Sequence, residues 1–153
     1  MKCFEFDDLQ VGQALKISGK FREGVGFLAV EILLEPAIED DEIAAPLQGV
    51  DLQRQSVRLF NCDISLPAGM EIKDLKGNRV ALNALTPGVM VKLKGAYDEA
   101  AGFVPQKIKI RETLEFNIEE LQGAIDKIDR TRKRLQVNGI PVVVNANTVI
   151  ESD

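Results

Sequence analysis

Apolar and polar residues alternate along most of this chain with the two-residue period of half-buried strands. The clearest stretch is residues 124–148, AIDKIDRTRKRLQVNGIPVVVNANT. Leu135 and Val137 alternate there with polar neighbours, and Ile140–Val144 forms a return run. Between them Asn138-Gly139 supplies two residues that tolerate the positive φ a type I′ turn requires, which predicts a β-hairpin. Val57–Leu66 (VRLFNCDISL) reads as a weaker copy of the same hairpin.

Other segments recur too. Leu9–Glu35 aligns with Leu85–Arg111 at a constant shift of 76, bringing Gly12/Gly88, Gly19/Gly95, Gly26/Gly102 and Phe27/Phe103 into register. Leu47-Gln48-Gly49-Val50 aligns with Leu121-Gln122-Gly123-Ala124 at a shift of 74. Past an insertion placed in Arg130–Arg134 the shift becomes 78, matching Leu59/Val137, Ile64/Val142 and Ile72/Ile150. Agreement of glycines and hydrophobic phase over about 70 residues predicts an internal duplication of domain-sized units. The acidic stretches Pro36–Ala45 and Glu112–Glu120 read as linkers. Phe6–Val11 and Asp74–Leu85 each have room for one short helical turn.

Taken from Leu47, one unit reads as three short strands, the connector DLKGNRVALNALTPG, and two further strands, VMVKLKG and GFVPQKIKI. That is the strand order of an OB-type barrel. With Gly49-Val50, Gly88–Gly95 and Ile108–Ile110 in one copy, and Thr148-Val149-Ile150 and Gly12–Gly19 in the other, the chain resembles an uncharacterised bacterial family of small OB-like barrel domains. The family's Thr step is absent from the middle unit, where Met70-Glu71-Ile72 stands instead. The resemblance implies repeats in exported proteins and says almost nothing about activity, since its motifs are structural. The expected fold class is all-β, two small OB-like five-stranded β-barrels from an internal duplication. In that register residues 45–112 form a continuous barrel, and residues 4–36 join 118–153 in a second barrel completed by the two termini. Two alternatives stay open: halves exchanged between chains, or sequential repeats over 3–75 and 80–153.

Composition narrows the chemistry. Apolar residues make up 45% of the chain but aromatics only 5%, with no Trp and a single Tyr, Tyr97, so the core must be aliphatic. The charge of −5 argues against general attraction to nucleic acid or an anionic membrane. The absence of His removes the commonest general base and metal ligand. Cys3 and Cys62 are too few for a disulfide framework or a zinc site and read as free thiols. No apolar run reaches 18 residues, and MKCFEFDDL lacks a signal-peptide core. As written the chain reads as soluble, or as the mature part of an exported protein.

The cationic cluster that stands out is Lys127, Arg130, Arg132, Lys133 and Arg134. OB barrels bind single strands by combining such charge with stacking aromatics, but the nearest aromatic here is Phe116, and Asp126 and Asp129 dilute the field. A solvated hairpin tip is the better reading. Glu39-Asp40-Asp41-Glu42 offers oxygen ligands for Ca²⁺ without the spacing that wraps an ion, and reads as solvated linker. Gly24-Val25-Gly26 reads as a hairpin turn rather than a phosphate loop, since no Lys follows it. Phe21, Phe27, Tyr97 and Phe103 occupy matched positions, with Phe27 and Phe103 expected inside the barrels. The expectation is a non-catalytic binding or structural module of tandem OB-like barrels, with no cofactor or metal and with protein as its partner. The alternative is binding of single-stranded nucleic acid or oligosaccharide through a barrel face and the 127–134 hairpin. Nucleic acid is disfavoured by the acidic charge and few aromatics, and oligomers by exchange of strands or half-barrels are a further option.

Overall fold

Two-residue alternation puts one side of each segment inside: in Ala14–Arg22, Leu15 and Ile17 are fully buried while Lys16 and Lys20 face solvent. The computed structural model describes residues 2–112 and 118–152; Phe116 and much of the Glu112–Glu120 stretch lie outside them. In chain order the strands are β1 (Lys2–Cys3), β2 (Ala14–Arg22), β3 (Gly26–Glu35), β4 (Asp41–Pro46), β5 (Gly49–Asp51), β6 (Ser56–Leu59) and β7 (Cys62–Ser65). They continue as β8 (Glu71–Lys73), β9 (Met90–Asp98), β10 (Gly102–Ile110), β11 (Glu119–Asp129), β12 (Arg134–Val137), β13 (Ile140–Val143) and β14 (Val149–Ser152). Two 3₁₀ turns, Phe6–Asp8 and Leu82–Ala84, fall in the stretches expected to hold short helical turns.

Five strands close into a barrel. Strand β2 pairs with β3 on one side and β11 on the other, β11 continues to β12, β12 to β13, and β13 returns to β3 in parallel. Strand β14 extends β3, and β1 extends β14. In the rest of the chain β4 pairs with β9, β9 with β10 and β10 with β8, while β5, β6 and β7 form a separate three-stranded sheet. The two groups are joined by β11 and β4, which pair antiparallel around Leu121↔Ile43. Gly19 and Gly95 sit where strands cross tightly: a Cβ there would strike the Leu28 and Val104 carbonyls respectively.

The acidic linkers predicted from sequence are in part strands. Asp41–Pro46 is β4, with Ile43 and Ala45 fully buried, and Glu119-Glu120 opens β11. Their carboxylates disguise the alternation. The Asp41 Oδ2 accepts the Tyr97 N–H at 2.7 Å, and the Glu119 Oε1 accepts the Phe21 N–H at 2.8 Å.

Matching the strands by their pairing gives a different register from matching them by residue identity. Ile17 faces Leu121 as Leu93 faces Ile43, so Leu121 occupies the position of Ile43 and not of Leu47. Gly12 N–H and Gln13 C=O bond Ile125 as Gly88 N–H and Val89 C=O bond Leu47. The shift is therefore 76 along β2–β3 and 78 along β11–β14, with no insertion in Arg130–Arg134; the extra two residues fall in the connector after β10.

Hairpin tips lock the two groups together. Asn138 and Gly139 have φ of 55° and 77°, as the type I′ turn requires, and the buried Asn138 amide donates to the carbonyls of Glu42 and Gln122 at 3.1 and 3.0 Å. A side chain at Gly139 would meet the Tyr97 ring at 3.1 Å. At the other tip Phe60-Asn61 adopts the same conformation, φ 51° and 60°, although a bulky residue disfavours it. Phe60 is held there by ring contacts with Phe21 at 5.3 Å and Phe27 at 5.5 Å. Phe60→Ala is expected to cost about 3 kcal/mol in urea unfolding. Phe60→Gly loses the same rings but relieves the positive φ, so it should exceed the Ala variant by about 1 kcal/mol. A Gly variant less stable than the Ala variant would show that the turn is unstrained.

Candidate anion-binding face

In Met90–Asp98 (MVKLKGAYD) Val91 and Leu93 point into the core, which sends Lys92 and Lys94 to the opposite face. A bulge between Pro105 and Lys107 resets the phase of β10, so that Ile108 is buried and Lys107 and Lys109 lie outside. Strand β8 adds Glu71 and Lys73 around the buried Ile72. Arg111 follows β10 and donates its N–H to the Met90 carbonyl at 2.8 Å.

Register brings these residues into rows. Lys94 stands opposite Lys107, which stands opposite Glu71; Lys92 stands opposite Lys109, which stands opposite Lys73. The side chains border a shallow cavity of about 250 Å³. Glu42 on β4 offers the main counter-charge: its Oε1 lies 2.9 Å from Lys92 Nζ, outside hydrogen-bond alignment, and 4.0 Å from Lys94 Nζ. Lys73 pairs with Glu71 at 3.4 Å. Among the described residues Lys107, Lys109 and Arg111 have no ion-pair partner. Like charges directly opposite on neighbouring strands, with Cβ atoms about 5 Å apart, oppose folding.

The hairpin cations singled out from sequence have separate local contacts. Arg130 reaches back to the first 3₁₀ turn, donating to the Asp7 and Leu9 carbonyls at 3.2 and 2.7 Å. Arg132 lies 3.9 Å from Asp129, as Arg54 lies 3.8 Å from Asp51 in the equivalent turn. Lys133 holds the positive-φ position, 53°, and its carbonyl accepts the Val144 N–H. Lys127 and Arg134 border a separate open hollow beside Ile128 and Pro141. Sequence reading missed the other face because its cations are spread over three strands. The available signal was Lys92-x-Lys94 and Lys107-x-Lys109-x-Arg111 on two strands of one hairpin.

Residues 122–153 match a family model described as a domain of unknown function, DUF5666. That segment contains most of β11 and all of β12–β14, the half of the closed barrel that carries the Asn138-Gly139 turn. No curated protein and no solved structure matches the chain. No helix among the described residues is long and apolar enough to cross a membrane. Nor, among the described residues, do three cysteine or carboxylate side chains gather to hold a metal ion. Both thiols are free, and burial pushes that of Cys62 up, which keeps it protonated.

Within the matched segment Asp126 is half-buried beside the hairpin tip, its carboxylate 3.4 Å from the Gly139 N–H. Burial raises its pKa, and the nearby carboxylates Asp41 and Glu99 raise it further against the Gly139 and Asn138 N–H groups. The folded chain thus keeps a proton over a window just above the ordinary Asp range in which the unfolded chain has released it. Stability from this group is present below the unfolded pKa and is lost as pH rises through the folded one. Asp126→Asn should therefore gain on wild type between about pH 4 and pH 7 in chemical denaturation. A stability difference that does not change with pH would contradict the shift.

Proposed function

We propose that this chain is a non-catalytic binding module of two OB-like barrels from an internal duplication, and that it holds a polyanionic partner on the Lys92–Arg111 face. The barrel reading is supported by connectivity. The ring β11-β12-β13-β3-β2 has the OB strand order, with residues 118–153 as the first three strands and 4–36 as the last two. The remaining strands follow the same order over residues 41–112, but their ring lacks the ladder between β7 and β10. Correspondence of the other pairings of the ring at shifts of 76 or 78 supports duplication as its origin. A bacterial, exported setting enters this reading from the family resemblance alone.

The observation that carries the function is the direct cross-strand register of Lys94 with Lys107 and of Lys92, Lys109 and Lys73. Five of the face's six cations are Lys, flexible point charges suited to reading charge density rather than planar, bidentate groups. None of the residues bordering the cavity is aromatic, so base stacking has no platform there. Single-stranded nucleic acid bound through the 127–134 hairpin has less support, because Arg130 and Arg132 serve the backbone and turn of their own chain.

Titration with fluorescent dextran sulfate tests the face. Binding should weaken steeply with salt, because each engaged cation releases counterions from the polymer. Replacing Lys92, Lys94, Lys107 and Lys109 together with Gln should lower affinity by about tenfold or more, about 1.4 kcal/mol. Lys127→Gln with Arg134→Gln should leave affinity unchanged. The reverse ranking would move the site to the hairpin, and no salt-sensitive binding at all would overturn the proposal.

A further inference from the structure

We infer that the partner of the cationic face is the acidic remainder of a second copy of this chain, joined head to tail; this rests on the anion-binding reading above. The charge of the molecule is strongly divided. With Glu42 the face holds six of the 19 basic residues and two of the 24 acidic ones, leaving 13 basic against 22 acidic elsewhere. The chain is thus about +4 on one sheet surface and about −9 over the rest.

The acidic counterpart has a definite place in the fold. Strand β9 corresponds to β2, β10 to β3 and β8 to β14, so the residues matching Lys107, Arg111 and Lys73 are Glu31, Glu35 and Glu151. The same outer surface is therefore cationic in one half of the molecule and acidic in the other. Lys16 matches Lys92 and is the one cation among these counterparts, leaving them at −2. Among the described residues Glu31, Glu35 and Glu151 have no ion-pair partner. The two surfaces share strand spacing, so the cations on one copy can face Glu31, Glu35 and Glu151 on the next.

Such a contact joins different surfaces of identical chains. It is heterologous, and unless its rotation closes a ring it propagates into open arrays. Held by exposed charge, it weakens as salt screens it.

The full chain and two double variants test this in sedimentation velocity, with circular dichroism confirming their fold. At about 20 mM salt the wild-type mass should rise with concentration, and at about 0.5 M salt it should return to that of one chain. Lys94→Glu with Lys109→Glu takes the cationic face to about neutral, and Glu31→Lys with Glu151→Lys turns its acidic counterpart basic, so neither variant should self-associate at low salt. Mixed in equal amounts, the two variants should associate with each other. Wild type that stays monomeric at low salt while binding dextran sulfate overturns self-association and leaves the anion-binding face intact. Loss of both behaviours overturns both readings. Variants that each stay monomeric and fail to combine when mixed place the wild-type contact elsewhere and overturn this inference.

Discussion

One row of aliphatic side chains runs through the whole molecule. In direct cross-strand register it reads Ile150, Ile32, Ile17, Leu121, Ile43, Leu93, Ile108, Ile72, and its outermost members are only 5% and 6% exposed. Because directly opposed residues share a face, the same side of the sheet is interior from β14 to β8. Each buried Ile or Leu contributes about 1.5–3 kcal/mol relative to an exposed one. With few aromatics available, that aliphatic row takes the place bulkier rings would hold in another core. It is centred on Leu121↔Ile43, the pair that joins the two strand groups, so the join is part of the core rather than a contact between finished surfaces.

At the join, carboxylates on the first strand of each group accept backbone N–H groups, although the buried Glu42 Oε1 and Asn138 Oδ1 have no hydrogen-bond partner. Glu119 and Asp41 accept the N–H groups of Phe21 and Tyr97 at equivalent positions. Glu119 is nearly fully buried; burial raises its pKa, opposed by the Phe21 N–H and by Lys20, whose Nζ lies 3.8 Å away. The hairpin tips complete the join differently in the two halves. Asn138 solves it with hydrogen bonds to Glu42 and Gln122, and Phe60 with ring packing, at the same point of the turn. An Asn in the left-handed region is an ordinary choice, whereas a Phe there is held by its surroundings.

What could be read from the residues alone follows the same division. The Gly24-Val25-Gly26 turn, the Asn-Gly turn and buried Phe27 and Phe103 leave local signatures in the sequence. Strand β4 was not, because Glu-Asp-Asp-Glu resembles a solvated linker until Tyr97 and Lys92 are seen to use its carboxylates. The shift of 74 rests on the identity of Leu-Gln-Gly at 47–49 and 121–123. Gly49 and Gly123 have different duties: Gly123 makes room for Asn138, and Gly49 pairs opposite Arg58. The cationic face was hidden for a related reason. A linear cluster at 127–134 is conspicuous in sequence, and its Arg130 and Arg132 are engaged by their own chain, whereas cations on β8, β9 and β10 meet through pairing.

That contrast locates where this fold is free to vary. Inside, the two halves keep the same aliphatic row at every paired position, since a one-residue slip would turn the row outward. Outside, corresponding residues need only be compatible with a strand, so Glu31 can answer Lys107 and Glu151 can answer Lys73 with no cost to the core. The closed barrel spends its polar surface on holding hairpin and turn together through Arg130, Asn138 and Asp126. The other half leaves Lys107, Lys109 and Arg111 without an internal partner among the described residues. Like charges in register are a folding cost that the aliphatic row beneath them must outweigh, with Glu42 and Glu71 neutralising part of it.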